Sequence, residues 1–468
     1  QRKPLTRQIM KRKFIFLAAS AAIFLCACSN QEDFLVRGEV NVDQQVGHQT
    51  DDVTASDIGT VVSEFFGGQR TRGVDYDTSA ITDASGNAAI YVVNYKDNQG
   101  FLLISATKRY CPVLAYADKG NFDVSGIADS GLVDWHTETL SAIELAKQLP
   151  DDSIQKFRSM WQRYEQPQTS KALKARKRSS SDPDVMRAQT ILQDSVSAWI
   201  AKGYTIFDIA DGSPYAEEVK GAIYPLYEEE WERLSIGVNK SFVKNKSIPN
   251  FVETKWHQQG FFNSCYPYVD GVRPLAGCGP VAAGQIMYYY KYPVRFDWDS
   301  MPLTDGSWSA SSFLLEIANN ANATFTKTSS GMCETTTTID NVCKVFNNWG
   351  FGDAIVQKHN AGKVWSEIEQ GRPVYMRGND KEDGHAWIAC GGNLIWERKF
   401  TEIFTFTSRL VFDAIARVNT QENSSSFLYF NWGYGGNYDG MYIDNRLILP
   451  EGSDVVNRYD IYNIYPTK

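Results

Sequence analysis

Gly277-Cys278-Gly279-Pro280 runs into a stretch of small and apolar residues, Val281-Ala282-Ala283-Gly284-Gln285-Ile286-Met287-Tyr288. Proline is well placed in the first turn of a helix, where its missing N–H costs nothing. Val281, Ile286, Met287 and Tyr290 then fit a buried helix, and Ala282, Ala283 and Gly284 permit close packing. Cys278 is thereby expected at a helix N-terminus, where unpaired N–H groups and the macrodipole favour an anion. A thiol with an ordinary pKa of about 8.5 becomes a thiolate in such a place, and the thiolate is the nucleophile. The same placement also suits a buried structural cysteine.

A nucleophilic thiolate needs an imidazole partner. The chain has five histidines: His48, His136, His257, His359 and His385. In Gly384-His385-Ala386-Trp387-Ile388-Ala389-Cys390, the histidine opens an apolar strand just after a glycine, which fixes it on a rigid element with one side open. His359 lies in the polar run Gln357-Lys358-His359-Asn360 and reads as an exposed loop residue. A lone histidine can equally be structural. Phe427-Leu428-Tyr429-Phe430-Asn431-Trp432-Gly433-Tyr434-Gly435-Gly436 is a strand running into a loop of glycines and aromatics. Asn431 or Trp432 at that strand end can orient and shield an imidazole, the third role in a triad, although an aromatic turn of the core has the same composition. Gln258, twenty residues before Cys278, can add an amide donor to the Cys278 N–H in an oxyanion hole.

These residues need more than one unit to position them. The chain has 468 residues, 43% apolar and 13% aromatic, a length that suggests about three units and excludes a disordered chain. A net charge of −8 argues against a dedicated nucleic-acid binder, and eight cysteines are too few for a disulfide-stapled scaffold. Lys11-Arg12-Lys13, the apolar stretch 14–25 and the small residues after it describe a signal peptide over residues 1–28. Leu25-Cys26-Ala27-Cys28 resembles a bacterial lipobox, which implies a lipid on Cys28 and a membrane partner through that anchor alone. The chain is then exported, as an outer-membrane or cell-surface lipoprotein or as a secreted protein after processing.

Residues 29–55 read as a tether. Residues 56–165 read as a small α+β unit: strands over 89–95 and 101–106 flank turn residues, and Ile154, Phe157, Met160, Trp161 and Tyr164 recur at helical spacing. Residues 166–247 are expected to be a linker and activation region. Its basic run 171–178 and Ser179-Ser180-Ser181 form an exposed stretch of the kind proteases cut. Residues 187–245 mix helix and loop without a firm assignment, and 248–468 reads as one unit dense in Trp, Tyr and Gly.

Gly277-Cys278 with Gln285-Ile286-Met287 and Tyr292-Pro293, then Gly371-Arg372-Pro373-Val374, Gly384-His385-Ala386 and Asn431 to Gly436, resemble the streptopain-like cysteine peptidases. Gly100 to Ala106 and Pro112 to Tyr116 resemble the inhibitory propeptide of that family. The resemblance implies an α+β, papain-like peptidase of two subdomains, a helical half and an antiparallel β half, behind a small α+β propeptide domain. It implies Cys278 as nucleophile, His385 as acid/base partner and Gln258 in the oxyanion hole, with Trp432 packing beside the histidine next to Asn431. It places Gly384, Ser330, Gly331 and Met332 in the substrate-binding walls. Gly279-Pro280 after the cysteine and Met332 depart from the pattern, and the pairing of Cys265, Cys333 and Cys343 is left open. The expected function is a secreted cysteine endopeptidase made as a zymogen, with protein or peptide substrates, its own propeptide as inhibitor, and no metal or organic cofactor. An inactive surface lipoprotein that binds through the same fold, or an acyltransferase on the same dyad, are the other readings.

Overall fold

The computed structural model describes residues 51–65, 75–127, 132–164, 190, 194–195, 197–199, 201–202, 204–208, 234–378, 384–406, 413–444 and 458–467. The expected signal peptide, Cys28, most of the tether and the basic run 171–178 lie outside the described residues.

Thr54 and Asp57 start the first helix by a reciprocal cap: Asp57 N donates to Thr54 Oγ1 (3.2 Å) and Thr54 N to Asp57 Oδ2 (2.8 Å). Helix α1 (Ala55–Phe65) buries Ile58, Val61 and Val62. Strands β1 (Tyr76–Thr82), β2 (Ala88–Tyr95), β3 (Phe101–Ser105) and β4 (Val113–Ala117) follow as an antiparallel meander, and β2–β3 is the expected hairpin. Gly100 in its turn has φ +105, and a Cβ there would lie 2.0 Å from the Ala117 carbonyl oxygen, so only glycine fits. Helices α2 (Leu132–Gln148) and α3 (Gln155–Trp161) close this unit. The α3 residues Phe157, Met160 and Trp161 are buried, as their helical spacing requires. Helices α1 and α2 were not anticipated, although Leu132, Trp135, Thr139, Ile143 and Ala146 recur every three or four residues and are all buried.

The next strands are β5 (Thr205–Asp208) and β6 (Leu234–Ile248). Both fall within the stretch expected to be linker, yet β6 pairs antiparallel along its whole length with a later strand, from Gly392↔Ile248 to Phe406↔Leu234. Its apolar residues at 234, 236, 238, 242 and 248 keep the period of two that such pairing favours. Helix α4 (Cys278–Tyr290) packs with α5 (Trp308–Asn320) and α6 (Ile339–Asn348) around one core. Beside them lies a two-stranded sheet of β7 (Thr324–Lys327) and β8 (Cys333–Thr336). Then come β9 (Ile355–Lys358), α7 (Ala361–Glu369), β10 (Val374–Arg377), β11 (Ala386–Phe406), β12 (Asp413–Asn431), β13 (Gly440–Ile443) and β14 (Tyr459–Tyr462).

The main sheet runs β1-β2-β3-β4-β13-β12-β11-β10-β14-β9, with β6 on β11 and β5 on β6. The N-terminal meander therefore continues into the C-terminal sheet through two residue pairs, Met441↔Tyr116 and Tyr442↔Ala115. Strand β11 is covered on both faces. Trp387 and Ala389 join the core shared with the N-terminal unit, while Ala386, Ile388 and Cys390 join the core around α4. A two-faced strand reads as a continuous apolar run, which 386–390 is. The fold is mixed α+β, with helices gathered beside an antiparallel sheet.

Gly284 faces the tightest contact in α4: a Cβ there would meet Leu314 Cδ2 at 2.7 Å, Trp256 Cζ3 at 3.1 Å and Phe313 Cε1 at 3.3 Å. Gly284→Val is expected to destabilise the chain by about 1–3 kcal/mol through overpacking. A lowered midpoint in urea unfolding with an unchanged m-value checks this, and an unchanged midpoint contradicts it.

Candidate active site

Cys278 is the first residue of α4, preceded by Gly277 at φ 88. A side chain at 277 would collide with the Thr335 carbonyl oxygen at 2.9 Å, so glycine lets the chain turn into the helix against β8. His385 immediately precedes β11, and its backbone carbonyl accepts from Gly378 N (3.0 Å), joining it to the end of β10. The two side chains meet across the junction of helix and sheet and share a hydrogen bond. Burial pushes the Cys278 thiol up, but the imidazole of His385, the Arg377 guanidinium and the Ala386 N–H outweigh it and hold the thiol at about 7. For His385, burial lowers the pKa, while the adjacent Cys278 and the Trp432 carbonyl raise it above the ordinary value. The two shifts agree: each partner stabilises the charged form of the other.

His385 Nε2 lies 3.0 Å from the Trp432 carbonyl oxygen. That contact places the Nε2 proton on the ring and leaves Nδ1 for the thiol. The Trp432 ring stacks at 6.5 Å and 28° from the imidazole, and Trp387 stacks on it at 6.3 Å and 9°. Trp432 is therefore beside the histidine, and its main chain rather than its ring makes the hydrogen bond. Its N–H donates to Asp439 Oδ1 (3.0 Å), a buried carboxylate raised by desolvation to about 7.

Asn431 does not reach His385. Its Nδ2 donates to the Thr254 carbonyl (2.7 Å) and to Gln285 Oε1 (3.1 Å), and its Oδ1 accepts from Gln285 Nε2 (3.2 Å) and Gly433 N (3.1 Å). It ties the end of β12 to α4, so its side chain fixes the frame and has no direct contact with the imidazole. Gln258 is buried next to the nucleophile segment, its carbonyl accepting from Ala276 N (2.8 Å). Ser330, Gly331 and Met332 form the β7–β8 turn, closed by Thr328 N donating to the Met332 carbonyl (2.8 Å). Leu275 N donates to the Cys333 carbonyl (2.8 Å), which sets that turn beside the segment leading into Gly277. Met332 is half exposed, and Gly384 at φ 96 adjoins His385 on the exposed side. All six cysteines among the described residues, including Cys265, Cys333 and Cys343, are free.

Three residues at or near the dyad were not anticipated. Asp134, from α2 of the N-terminal unit, accepts from His385 N at 3.0 Å. Arg377, buried at the end of β10, donates to the Thr337 carbonyl (2.9 Å) and acts on the thiol through its charge. Arg458 stands over the far face of Trp387 at 5.6 Å. Single charged residues on strands and helices carry no local pattern, so nothing in the sequence marked them. His359 is corrected by the structure. It is buried between Asp460 (Nδ1 to Oδ2, 2.8 Å) and Asp444 (Nε2 to Oδ2, 3.3 Å), because its N–H pairs with the Arg458 carbonyl and draws it in toward β14.

Residues 51–143 match the family model described as Spi protease inhibitor, and residues 256–299 and 294–442 match that of the peptidase C10 family. The chain is similar to the thiol protease/hemagglutinin PrtT of Porphyromonas gingivalis, 22% identical over 401 residues, covering 77% of this chain and 34% of that protein. The chain thus spans about a third of the length of that curated relative. Among solved structures, it is similar to a fragment of Prevotella intermedia prointerpain A (15% identity, TM-score 0.43, 84% of this chain and 100% of that one). It is also similar to active wild-type Prevotella intermedia interpain A (16% identity, TM-score 0.33, 47% of this chain and 95% of that one).

A thiol held down at about 7 is a thiolate above that pH and loses reactivity as pH falls through it. Alkylation of Cys278 by iodoacetamide is expected to follow a midpoint near that value. His385→Ala is expected to move the midpoint up toward the ordinary thiol value of about 8.5. A wild-type midpoint already at the ordinary value excludes the ion pair.

Proposed function

This chain belongs to the peptidase C10 family and carries a Spi-type inhibitor unit ahead of its peptidase unit, and we propose that it is a cysteine endopeptidase made as a zymogen. The observation that carries the reading is the placement of one imidazole between the Cys278 thiol and the Trp432 carbonyl. An imidazole so held can keep the thiol ionised and return a proton to a leaving group.

In this reading the Cys278 thiolate attacks the carbonyl carbon of a peptide bond. The Gln258 amide and a main-chain N–H at the start of α4 receive the oxyanion. The His385 imidazolium gives its proton to the departing amine as the C–N bond breaks, leaving a thioester. Water, losing a proton to His385, then attacks the thioester and releases the new carboxylate and the thiol. Trp432 orients and shields the imidazole, and Asn431 is a positioning residue through Gln285. Gly384, Ser330, Gly331 and Met332 flank the approach to the nucleophile as substrate walls.

The N-terminal unit, expected over 56–165, acts as the inhibitor. The Asp134 carboxylate occupies the entrance beside His385, and a Cβ on Gly378 would lie 2.8 Å from it, so it is wedged between the ends of β10 and β11. Activation removes this unit by cleavage in the region 166–247. Because β6 is paired throughout, the cut falls before residue 234 and β6 stays with the peptidase. Export through residues 1–28 and a lipid on Cys28 belong to the same reading. Detergent-phase partitioning that persists in Cys28→Ser counts against that anchor.

Purified wild type is expected to cleave a denatured protein substrate and to lose its N-terminal unit on incubation. Cys278→Ala is expected to do neither. Wild type that stays inert after the N-terminal unit has been removed rules the reading out. Shortening of both proteins alike assigns activation to an outside protease.

A further inference from the structure

Helix α2 places a second carboxylate on the peptidase unit, four residues after Asp134. Glu138 meets the Nε–NH2 edge of Arg458 in a two-pronged pair: Nε donates to Oε1 at 3.2 Å, and NH2 donates to Oε2. Parallel N–H bonds of this kind match a planar carboxylate in both charge and shape.

The receptor is built from the peptidase side. Arg458 NH1 donates to Asp444 Oδ1 (3.1 Å), Asp444 faces His359, His359 bonds Asp460, and the Tyr462 hydroxyl donates to Asp460 Oδ2 (2.6 Å). With α2 in place the side chains of Arg458, Asp444, His359 and Asp460 are 7% exposed or less, and the bond to Asp444 holds the guanidinium from the peptidase side. Its charged partners close at hand are Asp444, Asp460, Glu138 and His359, the last pushed up by the two aspartates to about 9. What remains once α2 is gone is a fork of two N–H donors turned toward the place Glu138 has left, open to a carboxylate from solution.

Its distance from the dyad is set by α2. Four residues of helix rise about 6 Å, so α2 carries Glu138 on Arg458 one turn beyond Asp134 on the main chain of His385. An extended peptide advances about 3.3 Å per residue. That turn corresponds to about two residues of an extended peptide.

We infer that Arg458 is a carboxylate-recognition subsite of the mature peptidase, which Glu138 fills in the zymogen and an aspartate or glutamate of the substrate fills after α2 has left. This rests on the peptidase reading above. The test uses processed wild type and pairs of fluorogenic peptides that differ only in Glu against Gln, scanned over the four positions on each side of the cleaved bond. At one position, about two residues from the bond, kcat/KM for Glu is expected to exceed that for Gln by about tenfold to a hundredfold, the worth of a charge-assisted pair. Arg458→Gln is expected to bring that ratio to near one. A wild-type ratio near one at every position, with the Gln peptides still cleaved in a Cys278-dependent way, overturns the subsite and leaves the peptidase reading standing. A ratio that survives in Arg458→Gln also overturns it. No cleavage of any peptide overturns both. The wild-type scan decides the matter without a variant, should Arg458→Gln fail to fold.

Discussion

An imidazole can serve a thiol only when its other nitrogen is already committed, and in this chain the commitment is to a main-chain carbonyl. The Trp432 peptide unit is held at both ends: its carbonyl receives His385 Nε2, and its N–H is received by the buried Asp439. The neighbouring Asn431 side chain locks onto Gln285, seven residues into the helix that begins with Cys278. Two adjacent residues at the end of β12 therefore set both halves of the dyad, one through its main chain and the other through its side chain. The separation of Cys278 and His385, which come from elements more than a hundred residues apart in the chain, follows from this single junction.

The aromatic rings then exclude water from the same place. His385, Trp387 and Trp432 lie against one another, with Phe430 and Tyr442 behind them. Trp135 of α2 packs edge-on to Tyr442 at 4.9 Å, so the N-terminal unit extends the same cluster from outside. Low polarity around the dyad strengthens every charge interaction in it, which is why burial alone does not neutralise Cys278. Helix α2 meets this surface with Trp135 against the rings and with Asp134 and Glu138 on His385 and Arg458.

The nucleophile, its imidazole and the strand-end Trp were legible because each sits in a local pattern: a proline-started helix, a glycine before an apolar strand, and an aromatic strand breaking into glycines. The β2–β3 hairpin and α3 were legible for the same reason, from turn residues and helical period. Asn431 was located but its partner was not, since Gln285 lies on a helix whose sequence shows only burial. Asp134, Glu138, Arg377 and Arg458 acquire meaning only when α2, β10 and the segment before β14 come together, and no spacing along the chain records that. His359 misled because polarity of neighbours predicts exposure only when no buried charge awaits the side chain, and here Asp444 and Asp460 do.

Strand β13 is four residues long and paired on one side with β12 and on the other with β4. Removal of the N-terminal unit would turn this interior strand into a border. Met441 and Tyr442 would then present unpaired main-chain groups, the kind of border that recruits strands from other molecules. Its shortness limits that hazard. The N-terminal unit is in this respect a cap on a sheet edge, independent of its contact with His385.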